Sequence, residues 1–283
     1  MATRAEVEKF LERLREDVER QHVEIPTLPD VSVQALFITQ DESSSISDLV
    51  HLISRDTALA ARLIRHANSP AYRGLTRCAT IRSAVTRLGM ERARQTIIAL
   101  SMKKVFQSGN ETIRSRMETL WNHSLEVAIV SYLLARRHPH IDPDTALLAG
   151  LVHDVGMIPI LRRAEKTPEI YEDPRALQAA ADAAHVPIGR AMLKCWNFEP
   201  DIIRAVAEHE NLQRQPEEDE PISYVDILQA ANIESYCATP HRLASVDRDS
   251  VAALRRLAAS PETTWLNWEE DPIGLEHVNQ IIE

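Results

Sequence analysis

Residues 146–156 read Ala-Leu-Leu-Ala-Gly-Leu-Val-His-Asp-Val-Gly, a nearly all-apolar stretch that ends in the adjacent pair His153-Asp154. Apolar neighbours on every side predict a buried helix, started by Asp142 as N-cap with Pro143 at the first helical position. A carboxylate and an imidazole in such a place cost several kcal/mol unless they are hydrogen-bonded, paired or bound to a cation. Gly156 is placed to close the helix as its C′ residue, and the partial negative charge of a helix C-terminus favours a cation there. Two readings stand: a metal site, or a buried His-Asp hydrogen bond that joins two helices.

Composition sets the surroundings of this stretch. The chain has 283 residues, enough for a large core, with only seven glycines and 5% aromatic residues, so the class expected is all-α. Cys78, Cys195 and Cys237 are far apart and form no CxxC pair, which suggests neither a disulfide framework nor a thiolate zinc site and fits a reducing cytoplasm. The first residues, Met-Ala-Thr-Arg-Ala-Glu-Val-Glu-Lys, lack the apolar core of a signal peptide, and no apolar run is read as long enough to span a bilayer.

Helical spacing recurs along the chain. Val7, Phe10, Leu11, Leu14 and Val18 make residues 3–22 an amphipathic helix that needs a surface to dock on. The prolines of Ile25-Pro26-Thr27-Leu28-Pro29 predict an extended segment. Asp56 and Thr80 are N-cap candidates, Asn68-Ser69-Pro70 stops a helix, and Gly89 separates two more. Residues 115–138 form a long central helix carrying His123. Pro187 predicts a break after His185, and helices are expected near 200–209, 222–236, 246–257 and 272–282.

The formal net charge is −10, yet Thr57–Asn110 holds ten Lys or Arg against Glu91 alone, a +9 window that leaves −19 elsewhere. Residues 80–106, a helix, a glycine turn and a second helix within that window, have the outline of a helix-turn-helix. The second helix, however, shows Ile97, Ile98, Leu100 and Met102 rather than a polar recognition face. The window has two readings: its arginines are neutralised by acidic faces of the same fold, or Arg73, Arg77, Arg82, Arg87, Arg92 and Arg94 form an exposed stripe that docks an acidic protein partner. Nucleic acid would be repelled by the acidic remainder.

His123, His153-Asp154 and Asp226 form a His…His-Asp…Asp series on separate apolar helices, and here the chain resembles the HD superfamily of metal-dependent phosphohydrolases. Two imidazoles and two carboxylates can hold a divalent cation that lowers the pKa of a bound water. His185 and His209 stand where two-metal members carry further histidines, so the resemblance implies His123, His153, Asp154, His185, His209 and Asp226 as ligands of iron, manganese, magnesium or zinc.

A second resemblance covers nearly the whole chain. Ile25-Pro26 with Leu28-Pro29, Asp56-Thr57-Ala58-Leu59-Ala60 with Asn68-Ser69, Leu88-Gly89, Trp121–Ser124, Gly150–Gly156 and His185–Trp196 are similar, in order, to the motifs of the HDOD family of bacterial signalling proteins. It implies a multi-helix HD-like bundle, with an N-terminal helical lobe at 1–110 and an HD-like lobe at 111–283. It also implies a cytoplasmic regulatory output module acting through protein partners, with no catalytic residue. The alternative is a phosphohydrolase of nucleotides or cyclic dinucleotides, with Asp154 acting beside a metal-bound water. Two departures weigh against hydrolysis: Met157 stands where many HD enzymes have lysine, and Glu210 follows His209 where the family often has a second histidine.

Overall fold

Capping side chains fix where the helices begin in the computed structural model, which describes residues 3–19, 26, 28–40, 44–72, 74–217, 219–237 and 241–259. The order is α1 (Arg4–Glu19), α2 (Asp30–Gln40), α3 (Ile46–Ile53), α4 (Thr57–Ala67), α5 (Ile81–Leu88), α6 (Met90–Met102) and α7 (Glu111–Ala135). There follow α8 (Pro143–Val152), α9 (Met157–Ala164), α10 (Pro168–Tyr171), α11 (Pro174–Cys195), α12 (Pro200–Glu208), α13 (Tyr224–Ser235) and α14 (Ala252–Ala259). No strand occurs among the described residues. Asp56 accepts from Ala58 and Leu59 N–H at 3.0 Å each. Thr80 accepts from Ser83 N–H at 3.1 Å, and Asp142 accepts from Thr145 N–H at 2.9 Å. Each satisfies an orphan donor of the first turn.

One apolar cluster runs from Phe10 in α1 to Leu257 in α14. The amphipathic α1 docks on α11 with Phe10 and Leu14 buried, and Asp17 pairs with Arg163. Pro26 and Leu28 are buried, whereas Ile25 and Thr27 lie outside the described residues, as does the helix expected at 272–282. In place of one helix at 246–257, a short turn at Arg248–Ser250 leads into α14. Asn68 explains the Asn68-Ser69 motif. Its amide donates to Cys78 O at 2.8 Å and accepts from Cys78 N–H at 2.8 Å, pinning the 69–79 loop to the end of α4.

One sequence expectation is corrected at the helix level, and the apolar reading of α6 agrees with the structure. Pro143–Ala164 is apolar and long enough to cross a membrane, contrary to the sequence reading, but 89% of its most apolar window is buried in the protein and a turn at 153–156 interrupts it. The α5–α6 pair has the outline of a helix-turn-helix, but every residue of α6 from Ala93 to Met102 is buried, which leaves only its first turn, Met90–Arg92, outside the core.

Close backbone approach positions the central helices. α8 lies along α7, where a Cβ on Gly150 would stand 2.5 Å from the Ala128 Cα. At Gly156 a Cβ would stand 2.0 Å from His185 O and 2.6 Å from Gly189 N. Gly156 has φ −64°, so it is not the left-handed C′ residue expected; it is required because α9 begins against the backbone of α11. α11 also runs unbroken through Pro187, where a break is predicted. The roughly 3 kcal/mol that an interior proline costs is offset by the burial of Ala180, Ala184, Ile188, Met192 and Leu193 on either side.

Gly156→Ala is therefore expected to lower stability by about 1–3 kcal/mol through overpacking, measured by urea denaturation. Gly109→Ala, where a Cβ meets nothing within 4 Å, should change it by less than about 0.5 kcal/mol. Equal effects would show that the α9–α11 approach is not under this constraint.

Candidate metal centre

α8 ends at His153, and the turn to Gly156 presents Asp154 to three other helices. Oδ2 of Asp154 lies 3.4 Å from His153 Nε2 and 3.8 Å from Nε2 of His123 on α7. Oδ1 lies 3.6 Å from Nε2 of His185 on α11 and 3.5 Å from Nε2 of His209 at the end of α12. The ligand atoms form two groups that share Asp154, one with His123 and His153 and one with His185 and His209.

The opposite ring nitrogens define the tautomers. Nδ1 of His153, His185 and His209 lies 2.8, 2.7 and 2.7 Å from the carbonyls of Gly150, Ala181 and Val206. A carbonyl only accepts, so each Nδ1 carries the proton and each neutral ring aims an Nε2 lone pair at the carboxylate. Backbone anchoring of this kind is how proteins orient metal-ligating histidines. Nε2 of His123 and His153 are 3.2 Å apart. The lone pairs of His153, His185 and His209 facing a carboxylate repel it unless a proton or a cation lies between them. These residues therefore fit a divalent cation, with imidazole and carboxylate donors suited to iron, manganese or zinc.

The acid–base pattern has the same origin. Burial pushes His153 down to about 3, against the pull of Asp154, and also lowers His123. Burial would raise Asp154, but His153, His209 and His185 hold it well below the carboxylate range. His209 is raised: burial opposes its charge, and Asp154 more than compensates.

Asp226 is not part of this centre, which corrects the expected ligand set. It is fully buried, and Oδ1 accepts from Arg214 at 3.0 Å while Oδ2 accepts from Arg256 at 2.7 Å. Oδ2 also accepts from Ser223 N–H at 2.9 Å and Oγ at 2.7 Å in a capping box. With both oxygens committed to two arginines and a helix start, Asp226 is a structural anion. On α13 it is Asn232 that faces His123, with Oδ1 buried and short of a well-formed hydrogen bond. Gln229, one turn earlier, donates to Glu208 O at 2.8 Å and Asn211 O at 2.9 Å and so holds the segment that carries His209. Tyr236, one turn later, packs on His123 with ring centroids 4.6 Å apart and stacks on His241 at 3.6 Å. Gln229, Asn232 and Tyr236 escape a search for charged ligands, but they are a polar stripe at helical spacing within an apolar run, which the sequence does show.

The expected arginine stripe is also corrected. Arg94 is 2% exposed and pairs with Glu91 and, at 3.0 Å, with Glu199. Arg92 pairs with Asp142 at 3.4 Å and Asp144 at 3.8 Å. Arg87 is half-buried and donates to Ala67 O and Thr76 O. Arg77 and Arg82 are exposed, the latter donating to Ser47 Oγ at 3.0 Å, and Arg73 lies outside the described residues. Intramolecular neutralisation thus accounts for Arg92 and Arg94.

A cavity of about 620 Å³ opens over the centre. Glu126, Asp154, Asp182 and Glu210 contribute four carboxylates to its wall, and Arg116 is its one arginine among the described residues. Arg116 donates to Tyr171 O at 3.1 Å and lies over the Tyr171 ring. Met157 lines the same wall.

An all-α bundle whose helices converge four imidazoles on one aspartate belongs to the HD-like class of folds. The HDOD domain family model matches residues 25–212, and the chain belongs to that family. A protein of Shewanella amazonensis SB2B, provisionally named a metal-dependent phosphohydrolase, is similar with TM-score 0.77 and 27% identity over 97% of each chain. An HDOD domain protein of Geobacter sulfurreducens shares the fold with TM-score 0.59 and 24% identity over 98% of each. A protein of Marinobacter aquaeolei VT8, provisionally named for signal transduction, does so with TM-score 0.58 and 17% identity over 98% of this chain and 65% of that one. An uncharacterized protein of Treponema pallidum (strain Nichols) is 27% identical over 213 residues, 70% of this chain, and the match spans 40% of that relative's length.

The centre makes metal-free stability depend on pH. The native His153 pKa is about 3 and the unfolded value is 6.5, so between these the unfolded chain binds one more proton and stability falls as pH falls. The slope from this group is about 1.4 kcal/mol per pH unit. His209, raised, acts oppositely: its contribution is full below 6.5 and is lost as pH rises through its native value. His153→Asn, which keeps a donor for Gly150, isolates the first effect. In urea titrations with chelator, wild type should lose roughly 1.4 kcal/mol more than the variant from pH 6 to 5; parallel profiles would contradict a buried neutral His153.

Proposed function

We propose that this chain is a signalling output module that acts by contact with protein partners, and that its His/Asp centre holds a divalent cation as a structural or regulatory element. The observation that carries this reading is the wall of the cavity above the centre. Four carboxylates, a methionine and a single committed arginine surround the place a phosphoryl group would occupy. Hydrolysis of a phosphate ester develops negative charge that must be met by positioned donors or cations. Beyond a cation at the centre itself, this wall offers no uncommitted arginine among the described residues to meet that charge.

A cation bound there would act as a Lewis acid and make a nearby water more acidic. The chain's own residues do the rest of the work. Backbone-anchored His153, His185 and His209 orient their lone pairs, Gln229 fixes the end of α12, and Tyr236 with His241 covers His123. Nε2 of His185 lies 3.7 Å from one oxygen of Glu210, whose other oxygen Arg242 holds at 2.8 Å, so Glu210 is a paired carboxylate fixed beside the second ligand group. A phosphohydrolase acting on nucleotides or cyclic dinucleotides is the second reading, favoured by the complete imidazole set and by the provisional name of the Shewanella protein.

Assays of phosphomonoesters, nucleotides and cyclic dinucleotides with manganese, iron and magnesium separate the two. Turnover is expected to stay at least 100-fold below the common enzyme median of about 10 per second. Metal-dependent turnover near that median, abolished by Asp154→Ala, would establish the hydrolase instead.

A further inference from the structure

A second cavity, of about 450 Å³, lies at the junction of α4, the 69–79 loop and α5, and it is lined by Arg65, Arg77, Arg87, Asn68 and Thr76 among others. Among the described residues no carboxylate lines it. Arg65 and Arg77 are exposed and form no ion pair with a described residue. Arg87 is held in place: Nη1 donates to Ala67 O at 3.0 Å and Asn68 Oδ1 at 3.2 Å, and Nη2 donates to Thr76 O. All three acceptors are neutral, so the charge of Arg87 is fixed in position without being cancelled. Three guanidinium groups thus share one concave surface on a loop that Asn68 clamps to the end of α4.

Next to these charges stands the one fully exposed large hydrophobic side chain among the described residues, Leu75, between Gly74 and Thr76 of the cavity wall. Folding gains nothing from it. An exposed aliphatic side chain beside uncompensated arginines suits a contact that is part apolar and part acidic, and arginine is prominent among residues that dominate protein binding. A nucleic-acid surface would need a longer basic track. Here Arg92 and Arg94, the next candidates along the chain, are already paired, and the chain carries −10 overall. We infer that the Arg65–Arg77–Arg87 cavity, with Leu75 on its rim, is the docking site for an acidic segment of a partner protein in which Asp or Glu adjoins an aliphatic or aromatic residue.

This inference rests on the regulatory reading only in giving it a partner surface. The cavity is built from α4, α5 and their loop, whereas the His/Asp centre is built from α7, α8, α11 and α12, so each can fail without the other. Selection of a phage-displayed random dodecapeptide library on the full chain, with the Arg65→Glu/Arg77→Glu chain as counter-selection, tests it. Retained clones are expected to place Asp or Glu beside Leu, Ile or Phe. A synthetic peptide of the enriched sequence should bind at least tenfold more weakly to the double variant and about threefold more weakly to Leu75→Ser. Raising NaCl from 50 to 300 mM should also weaken it, with circular dichroism and metal content unchanged. The inference is overturned if no clone distinguishes wild type from the variant, or if inorganic phosphate or a 20-nucleotide DNA binds with the same arginine dependence. It is equally overturned if the arginines support only self-association of the chain, or if the double variant unfolds while Leu75→Ser binds like wild type.

Discussion

The carboxylate of Asp154, faced at 3.4 to 3.8 Å by Nε2 of four histidines, is the interaction around which the C-terminal helices are arranged. An ionised carboxylate away from water is stable only among donors or cations. Three of the four rings have spent their proton on backbone carbonyls, so as neutral imidazoles they offer lone pairs rather than donors. Without metal the tension falls on protonation, with His209 raised and His153 depressed beside the same aspartate. A divalent cation held by these rings and Asp154 would offset it. Bringing four helix segments this close needs backbone contacts that tolerate no side chain, which is why Gly150 sits against Ala128 and Gly156 against His185 and Gly189.

Local chemistry was legible from the sequence where a residue acts on its neighbours. The caps at Asp56, Thr80 and Asp142 sit where their types and spacing put them. The burial of His153 followed from the apolar residues around it, and the motif order led to the HDOD family. What depends on distant partners was not legible. Pro187 reads as a break because local propensity penalises it, yet tertiary packing carries α11 through. Asp226 was chosen for its charge in an apolar run. Asn232 lies six residues further on, about 240° round the helix axis, and it is this position that meets His123. The Ser223-x-x-Asp226 spacing is itself a capping-box pattern, so the structural role of Asp226 was open to a closer reading.

The basic window makes the same point about charge. Ten cations against one anion looked like a surface, but sequence counts do not register pairing across the fold. Arg92 finds Asp142 and Asp144 on α8, and Arg94 finds Glu199 at the start of α12. The Arg92 pairs, with the bond from Gln95 to Thr145 at 2.9 Å, attach α6 to the start of α8, the helix that leads to His153, and the Arg94 pair attaches it to α12. Subtracting them leaves, beside the exposed Arg82, the cluster of Arg65, Arg77 and Arg87 around the last turn of α5 as a part of the window still open to a partner.

Anomalous scattering from crystals grown with manganese, recorded on both sides of the manganese absorption edge, tests the central claim most directly. Peaks adjoining Asp154 are expected, one bounded by His123 and His153 and the other by His185 and His209, and both should vanish in Asp154→Ala. A centre with no anomalous signal, or a peak at Asp226 between Arg214 and Arg256, would contradict the assignment and leave the histidines as a hydrogen-bonded core.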